Sequence, residues 1–226
     1  MKPPCVLVVE DDAAIRRLLQ TALVREGYRV IEAIDARAAM ASMAIDKPDA
    51  VLLDLGLPDR DGLELVPLIK AAGCALIIVS ARGDTDQKVT ALDLGADDYV
   101  IKPFDSEELR ARLRTALRHR LRATSQSEVV TLGNVVIDLS ARLVLREGQE
   151  VHLTPKEYGM IAELARHPGR VITHAQLLRA VWGPGHENDV EYLRVTARGI
   201  RRKLEADPAT PVLLRNEPGV GYRLMG

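Results

Sequence analysis

The chain has 226 residues, 47% of them hydrophobic, which is room for one large or two modest domains, and its net charge of -1 excludes a nucleic-acid reading founded on bulk charge. Two cysteines, Cys5 and Cys74, lie in apolar surroundings; they fit core thiols of a cytoplasmic protein and exclude a disulfide framework. No stretch is long enough to cross a bilayer, and the opening Met1-Lys2-Pro3-Pro4 turns acidic too soon for a signal peptide.

Cys5–Val9 reads as a short buried strand ending on Glu10, Asp11 and Asp12. A helix from Ala13 follows, apolar at Ile15, Leu18, Leu19, Ala22 and Leu23, with Arg16, Arg17 and Gln20 outside the stripe. Arg29–Ala33 is a second strand, Ala36–Ile45 a helix, and Val51-Leu52-Leu53 a third strand that stops on Asp54, where Gly56 and Pro58 break it. Gly62 to Ala72 is read as one helix, with Pro67 tolerable near its first turns. Ala75–Val79 is a strand ending on Ser80, and Asp84–Leu94 is a helix stopped by Gly95. Tyr99–Ile101 is a fifth strand leading into Lys102-Pro103, and Asp105 caps a helix running to about Arg120. Strands alternating with helices, and apolar enough for burial on both faces, predict an α/β fold: a doubly wound, five-stranded parallel sheet.

In a parallel sheet the carboxyl ends of the strands share one edge, so Glu10, Asp11, Asp54, Ser80 and Lys102 meet there. Clustered carboxylates repel, and a hard divalent cation relieves them; Mg2+ suits few carboxylates with the remaining positions left to water and phosphate. Lys102 can pair with Asp54 or with a phosphate, and the Ser80 hydroxyl can bond a phosphoryl oxygen. No phosphate-binding glycine loop accompanies the set, so a carboxylate nucleophile with Mg2+ and a lysine points to an aspartyl phosphate formed on the protein itself. Asp12 is read as a helix N-cap rather than a ligand. Pro103 makes a cis Lys102–Pro103 peptide admissible, though trans is the expectation.

Val8-Val9-Glu10-Asp11-Asp12, Leu53-Asp54-Leu55-Gly56-Leu57-Pro58-Asp59, Val79-Ser80-Ala81-Arg82, Gly95-Ala96-Asp97-Asp98-Tyr99 and Lys102-Pro103-Phe104 resemble the receiver domain of two-component response regulators, a flavodoxin-like fold. The resemblance implies that Asp54 accepts phosphate from a sensor histidine kinase. It also implies that Glu10 belongs to the acidic pocket and that Asp11, Asp54 and the Gly56 carbonyl hold Mg2+. Ser80 and Tyr99 would be a switch pair, and Lys102 would contact the phosphoryl group. Gly56 departs from the polar residue many receivers carry at that place. In the branch that dimerises through its last helices, Lys88 with Glu108 and Asp98 with Arg112 would pair across a two-fold axis.

Residues 122–128 are polar and without periodicity, the signature of a linker between a receiver domain at 1–121 and a second domain at 129–226. Val129–Leu153 alternates in short runs, which predicts a small antiparallel sheet. Thr154-Pro155-Lys156-Glu157 is a capping box opening a helix, and Thr173 opens a second one, apolar at Leu177, Leu178, Val181 and Trp182. The third helix begins near Asp189 and carries two adjoining stripes, apolar at Leu193, Ala197, Ile200 and Leu204, basic at Arg194, Arg198, Arg201 and Arg202. A closing hairpin turns at Pro218-Gly219. Three helices, a terminal hairpin and an arginine-lined third helix predict a winged helix-turn-helix that binds double-stranded DNA through Arg194, Thr196, Arg198, Arg201, Arg202 and, on the wing, Arg215.

Leu153–Tyr158, His167–Val171, Val181-Trp182-Gly183, Ile200–Glu205 and Gly219–Arg223 resemble the effector domain of the OmpR/PhoB branch, and Glu191–Val195 and Glu217–Gly221 resemble its Kdp-type regulators of potassium-transport operons. The resemblance implies a cytoplasmic, non-enzymatic transcription factor that dimerises on phosphorylation and works with RNA polymerase. One rival is a Mg2+-dependent phosphohydrolase with Asp54 as nucleophile, for which Gly56 stands where a second acid is needed. The other is a receiver-like DNA-binding protein indifferent to phosphate, against which the intact Asp54 and Lys102 argue.

Overall fold

In the computed structural model, which describes residues 3–123 and 129–225, the apolar runs of the first half become β1 (Cys5–Val9), β2 (Arg29–Ala33), β3 (Ala50–Leu53), β4 (Ala75–Ser80) and β5 (Asp98–Ile101). They form one parallel sheet in the order β2-β1-β3-β4-β5. The winding reverses between the neighbours β1 and β3, and a crevice opens at such a switch point. Every residue of β1, β3 and β4 is buried. The edge strand β2 departs from the expected apolar run: it carries Arg29 and Glu32, and only Ala33 is buried, because one side of an edge strand meets solvent.

The intervening helices are α1 (Ala13–Arg25), α2 (Ala36–Asp46), α3 (Leu65–Ala71), α4 (Thr85–Asp93) and α5 (Ser106–Ala123). The segment from Gly62 is not one helix: Gly62–Glu64 is a 3-10 turn and α3 starts at Leu65. That start places Pro67 in the first turn, where a missing N–H costs no helix bond. Helix α5 runs to Ala123, into the stretch read as linker, so Arg122 and Ala123 are helical; 124–128 lie outside the described residues.

The chain divides into two units, Met1–Leu121 and Arg122–Gly226. The second opens with an antiparallel sheet of β6 (Val129–Leu132), β7 (Val135–Asp138), β8 (Leu143–Arg146) and β9 (Gln149–Glu150). Then come α6 (Pro155–Arg166), β10 (Val171–Thr173), α7 (His174–Trp182), α8 (Val190–Leu204), β11 (Leu214–Glu217) and β12 (Gly221–Leu224). The expected capping box of Thr154 with Glu157 forms, and Thr173, read only as the start of a helix, makes a second one with Gln176. Met160, Ile161 and Leu164 of α6, Leu177 and Leu178 of α7, and Leu193, Ala197, Ile200 and Leu204 of α8 share one core with Tyr222 and Leu224. The closing hairpin gains a third strand absent from the sequence reading: β10 pairs with β12, Ile172 opposite Tyr222. Gly221 is required there, since a Cβ at that position would sit 1.9 Å from the Ile172 carbonyl oxygen.

Candidate functional site: an acidic pocket and a basic helix

The sheet brings Glu10, Asp54, Ser80 and Lys102 to one edge as its register demands. Lys102 Nζ lies 2.6 Å from Glu10 Oε2 and 2.7 Å from Asp54 Oδ2. Glu10 and Ser80 are each 1% exposed and Asp54 8%, whereas Asp11 stands open to solvent. One carboxylate oxygen from each of Glu10, Asp11 and Asp54 lies within 4.8 Å of the others. The Gly56 N–H donates to Asp54 Oδ1 at 3.2 Å. Asp12 is the N-cap expected of it, accepting from the Ala14 and Ile15 amides. The Lys102–Pro103 peptide is cis rather than trans.

Electrostatics separates the two buried acids. Burial raises the Glu10 carboxyl above its ordinary value, Lys102 offsetting this only in part and the Asp54 charge adding to it. At Asp54 burial acts the same way, but the Lys102 ammonium, the Gly56 N–H and the Ser80 hydroxyl outweigh it and hold the carboxyl below the usual aspartate range. Of the two, Asp54 is the acid whose surroundings favour its ionised form. Burial opposes the charge on Lys102 too, yet its two carboxylate partners leave its pKa raised. Gly62 permits the turn beyond Asp54: a Cβ there would lie 2.5 Å from the Asp54 carbonyl oxygen.

The Tyr99 ring is buried at 3% exposure, and its hydroxyl donates to the Arg82 carbonyl at 2.6 Å, in the loop that follows Ser80. The sequence reading missed two supports of the pocket. Arg16, assigned to the outer face of α1, donates to the carbonyls of Glu10 and Asp11 at 2.8 and 3.1 Å and so fixes the acidic loop. Asp59 accepts from the amides of Ala36 and Arg37, tying the Asp54 loop to the start of α2. Neither link has a local sequence signal.

Three of the four residues implied to pair across a dimer come together within one chain. Arg112 reaches Asp98 at 2.7 Å and Glu108 at 2.5 Å, and Asp98 is 4% exposed beneath it. Lys88 lies on α4, in the same unit.

In the second unit Arg194, Arg198 and Arg202 are exposed along α8, and Arg215 is exposed on β11. Two of the expected DNA contacts face the other way. Thr196 is buried, 9% exposed, because it falls on the apolar side of the helix. The Arg201 guanidinium folds back onto the Leu214 carbonyl at 2.9 and 3.1 Å, which anchors β11 to α8.

Residues 6–114 match the response regulator receiver domain, and residues 148–224 match the C-terminal domain of transcriptional regulatory proteins. The chain belongs to the OmpR/PhoB family of DNA-binding response regulators, transcription regulators built from a receiver and a winged helix. Within it the chain is KdpE-like: it is 46% identical over 221 residues to the KDP operon transcriptional regulatory protein KdpE of Escherichia coli strain K12, covering 97% of this chain and 98% of that protein. It is 44% identical over 220 residues to the transcriptional regulatory protein KdpE of Mycobacterium tuberculosis strain H37Rv, covering 96% of this chain and 97% of that one. Among solved structures, the response regulator DrrB of Thermotoga maritima, an OmpR/PhoB homolog, matches with a TM-score of 0.50 and 28% identity over 99% of this chain and 100% of that chain. Among the described residues no helix is long and apolar enough to cross a membrane.

Proposed function

We propose that the first unit is a phosphorylation switch whose acceptor is Asp54, and that the receiver spans 1–121 and the DNA-binding domain 129–226. The observation that carries this is the Lys102 ammonium shared between Glu10 and Asp54, with Asp11 beside them, on one sheet edge. A carboxylate oxygen of Asp54 attacks the phosphorus of a kinase phosphohistidine, the P–N bond breaks, and the imidazole leaves, taking up a proton. Lys102, already within hydrogen-bond reach of Asp54, pairs with the new phosphoryl oxygens, and the Ser80 hydroxyl bonds another.

Three carboxylate oxygens so close together are a donor set for a hard divalent cation, and Glu10, Asp11, Asp54 and the Gly56 carbonyl would hold Mg2+. When bound, Mg2+ offsets the negative charge of the carboxylates and of the incoming phosphate. The pocket supports a regulator rather than a phosphohydrolase. A Cβ at Gly56 would lie 3.9 Å from both Asp54 carboxylate oxygens, so the position facing the acceptor carries no acid to activate water.

Phosphate at Asp54 draws Ser80 toward it, Tyr99 holds the Arg82 loop in register, and the face formed by α4, β5 and α5 becomes the dimer surface. Arg112, Asp98 and Glu108 then exchange partners across the two-fold, with Lys88 joining Glu108. Two α8 helices enter neighbouring major grooves at half-sites about one helical turn apart, through Arg194, Arg198 and Arg202, with Arg215 on the wing. The dimer acts on RNA polymerase in the cytoplasm. The KdpE relatives, one of them named for the KDP operon, support a potassium-transport operon as target, and the receiver match supports a sensor histidine kinase as phosphate source.

The test is incubation of the full chain with Mg2+ and acetyl phosphate, read by intact mass. The wild type gains one phosphoryl group and Asp54→Asn gains none; equal labelling of the two would refute the assignment.

A further inference from the structure

The solvent side of α8 is not uniformly polar. Leu193, Thr196, Ala197, Ile200 and Leu204 turn into the domain, while Glu191, Arg194, Arg198 and Arg202 face out. In the middle of that outward row stands Val195, 66% exposed. Positions 191, 195, 198 and 202 follow one helical line, so Val195 has Glu191 a turn before it and Arg198 a turn after it. Among the described residues, the domain core does not account for valine there. It lies outside the domain core, and a β-branched residue in an exposed helix interior is a poorer helix former than alanine.

We infer that Val195 reads the 5-methyl group of a thymine in the major groove, an inference that rests on α8 being the helix that enters the groove. Thymine is the base that presents a methyl group on that edge, and apolar side chains contact it. Charge decides the occupant: Val195, with the half-exposed Tyr192 one turn before it, stands among the exposed Arg194, Arg198 and Arg202, and an apolar spot so surrounded by cations suits a polyanion better than an apolar protein surface. Arg194 and Arg198 set the helix depth on phosphates or guanines, and Val195 then meets one base step. Arg194 also holds Glu191, Nη1 to Oε2 at 3.0 Å, which keeps the acid beside the guanidinium and offsets its charge.

The experiment uses the full chain and duplexes it retains from a random-sequence pool. Each thymine of a retained half-site is replaced in turn by deoxyuridine, which removes only the methyl. The wild type loses affinity at one thymine per half-site by about fourfold, the effect of burying one methyl group. Val195→Ala binds the parent duplex correspondingly more weakly and shows no further loss at that position. Val195→Ile keeps the penalty, and the salt dependence is unchanged in both variants. Wild-type tolerance of deoxyuridine at every position, or an undiminished penalty in Val195→Ala, would overturn the inference while leaving DNA binding intact. Retention of no duplex would overturn it together with the reading of α8.

Discussion

Lys102 is the residue on which the pocket's electrostatics turns. Its ammonium lies within 2.7 Å of both Glu10 and Asp54, acids that are 1% and 8% exposed. Lys102→Ala leaves them facing each other, and removing one partner of such a buried set costs about 3 kcal/mol. Urea unfolding followed by far-UV circular dichroism in metal-free buffer should show that loss in the first unit. Fluorescence of Trp182, the chain's single tryptophan, reports the second unit and should not move. Glu157 gives the second unit a pH signature. Burial opposes its charge, but Lys203, 2.6 Å away, and Thr154 hold its carboxyl below the ordinary 4.5 in the folded state. The stability it confers is thus complete above the unfolded value and is lost as pH falls through the lower folded one. The urea midpoint from Trp182 fluorescence should drop on acidification below about pH 4.5, and Glu157→Gln should drop less steeply. The acids and Lys102 were legible because each ends an apolar strand, and strand ends of a parallel sheet converge. Thr196 and Arg201 were not, since two adjoining helical stripes share a border and charge alone does not say whether an arginine reaches outward or folds back.

Between elements, α8 and the wing are joined by Glu205. Its carboxylate accepts from the amides of Val212, Leu213 and Leu214 at 2.8–3.2 Å, closing the loop between α8 and β11, and the residue is 3% exposed. Glu205→Ala orphans these donors and should cost about 2–4 kcal/mol in the Trp182 transition. Glu205→Gln, whose amide oxygen still accepts, should recover part of that; an alanine variant as stable as wild type would remove Glu205 from this role. Helices and long apolar strands were readable from periodicity and caps, as Thr154 with Glu157 illustrates. Strand β10 was not. Its three residues are too few to show alternation, and what makes them a strand is pairing with Gly221–Arg223, about 50 positions away. The 3-10 turn before α3, which Asp61 caps by accepting from the Leu63 amide, and the continuation of α5 to Ala123 were likewise not read from the sequence.

At the scale of the molecule, the proposed function requires that a charge placed at the edge of one sheet alter how strongly a helix in another unit holds DNA. The two units have separate cores, so on that reading the coupling is a free energy of assembly, and such couplings run to about 5–150-fold in affinity. The most direct measurement is the affinity of the full chain for a retained duplex, with Mg2+, before and after acetyl phosphate, for the wild type and for Asp54→Asn. The wild type should tighten by at least about fivefold and the variant should not respond. An equal response in both proteins, or none in a wild type whose mass shows it phosphorylated, would contradict the account.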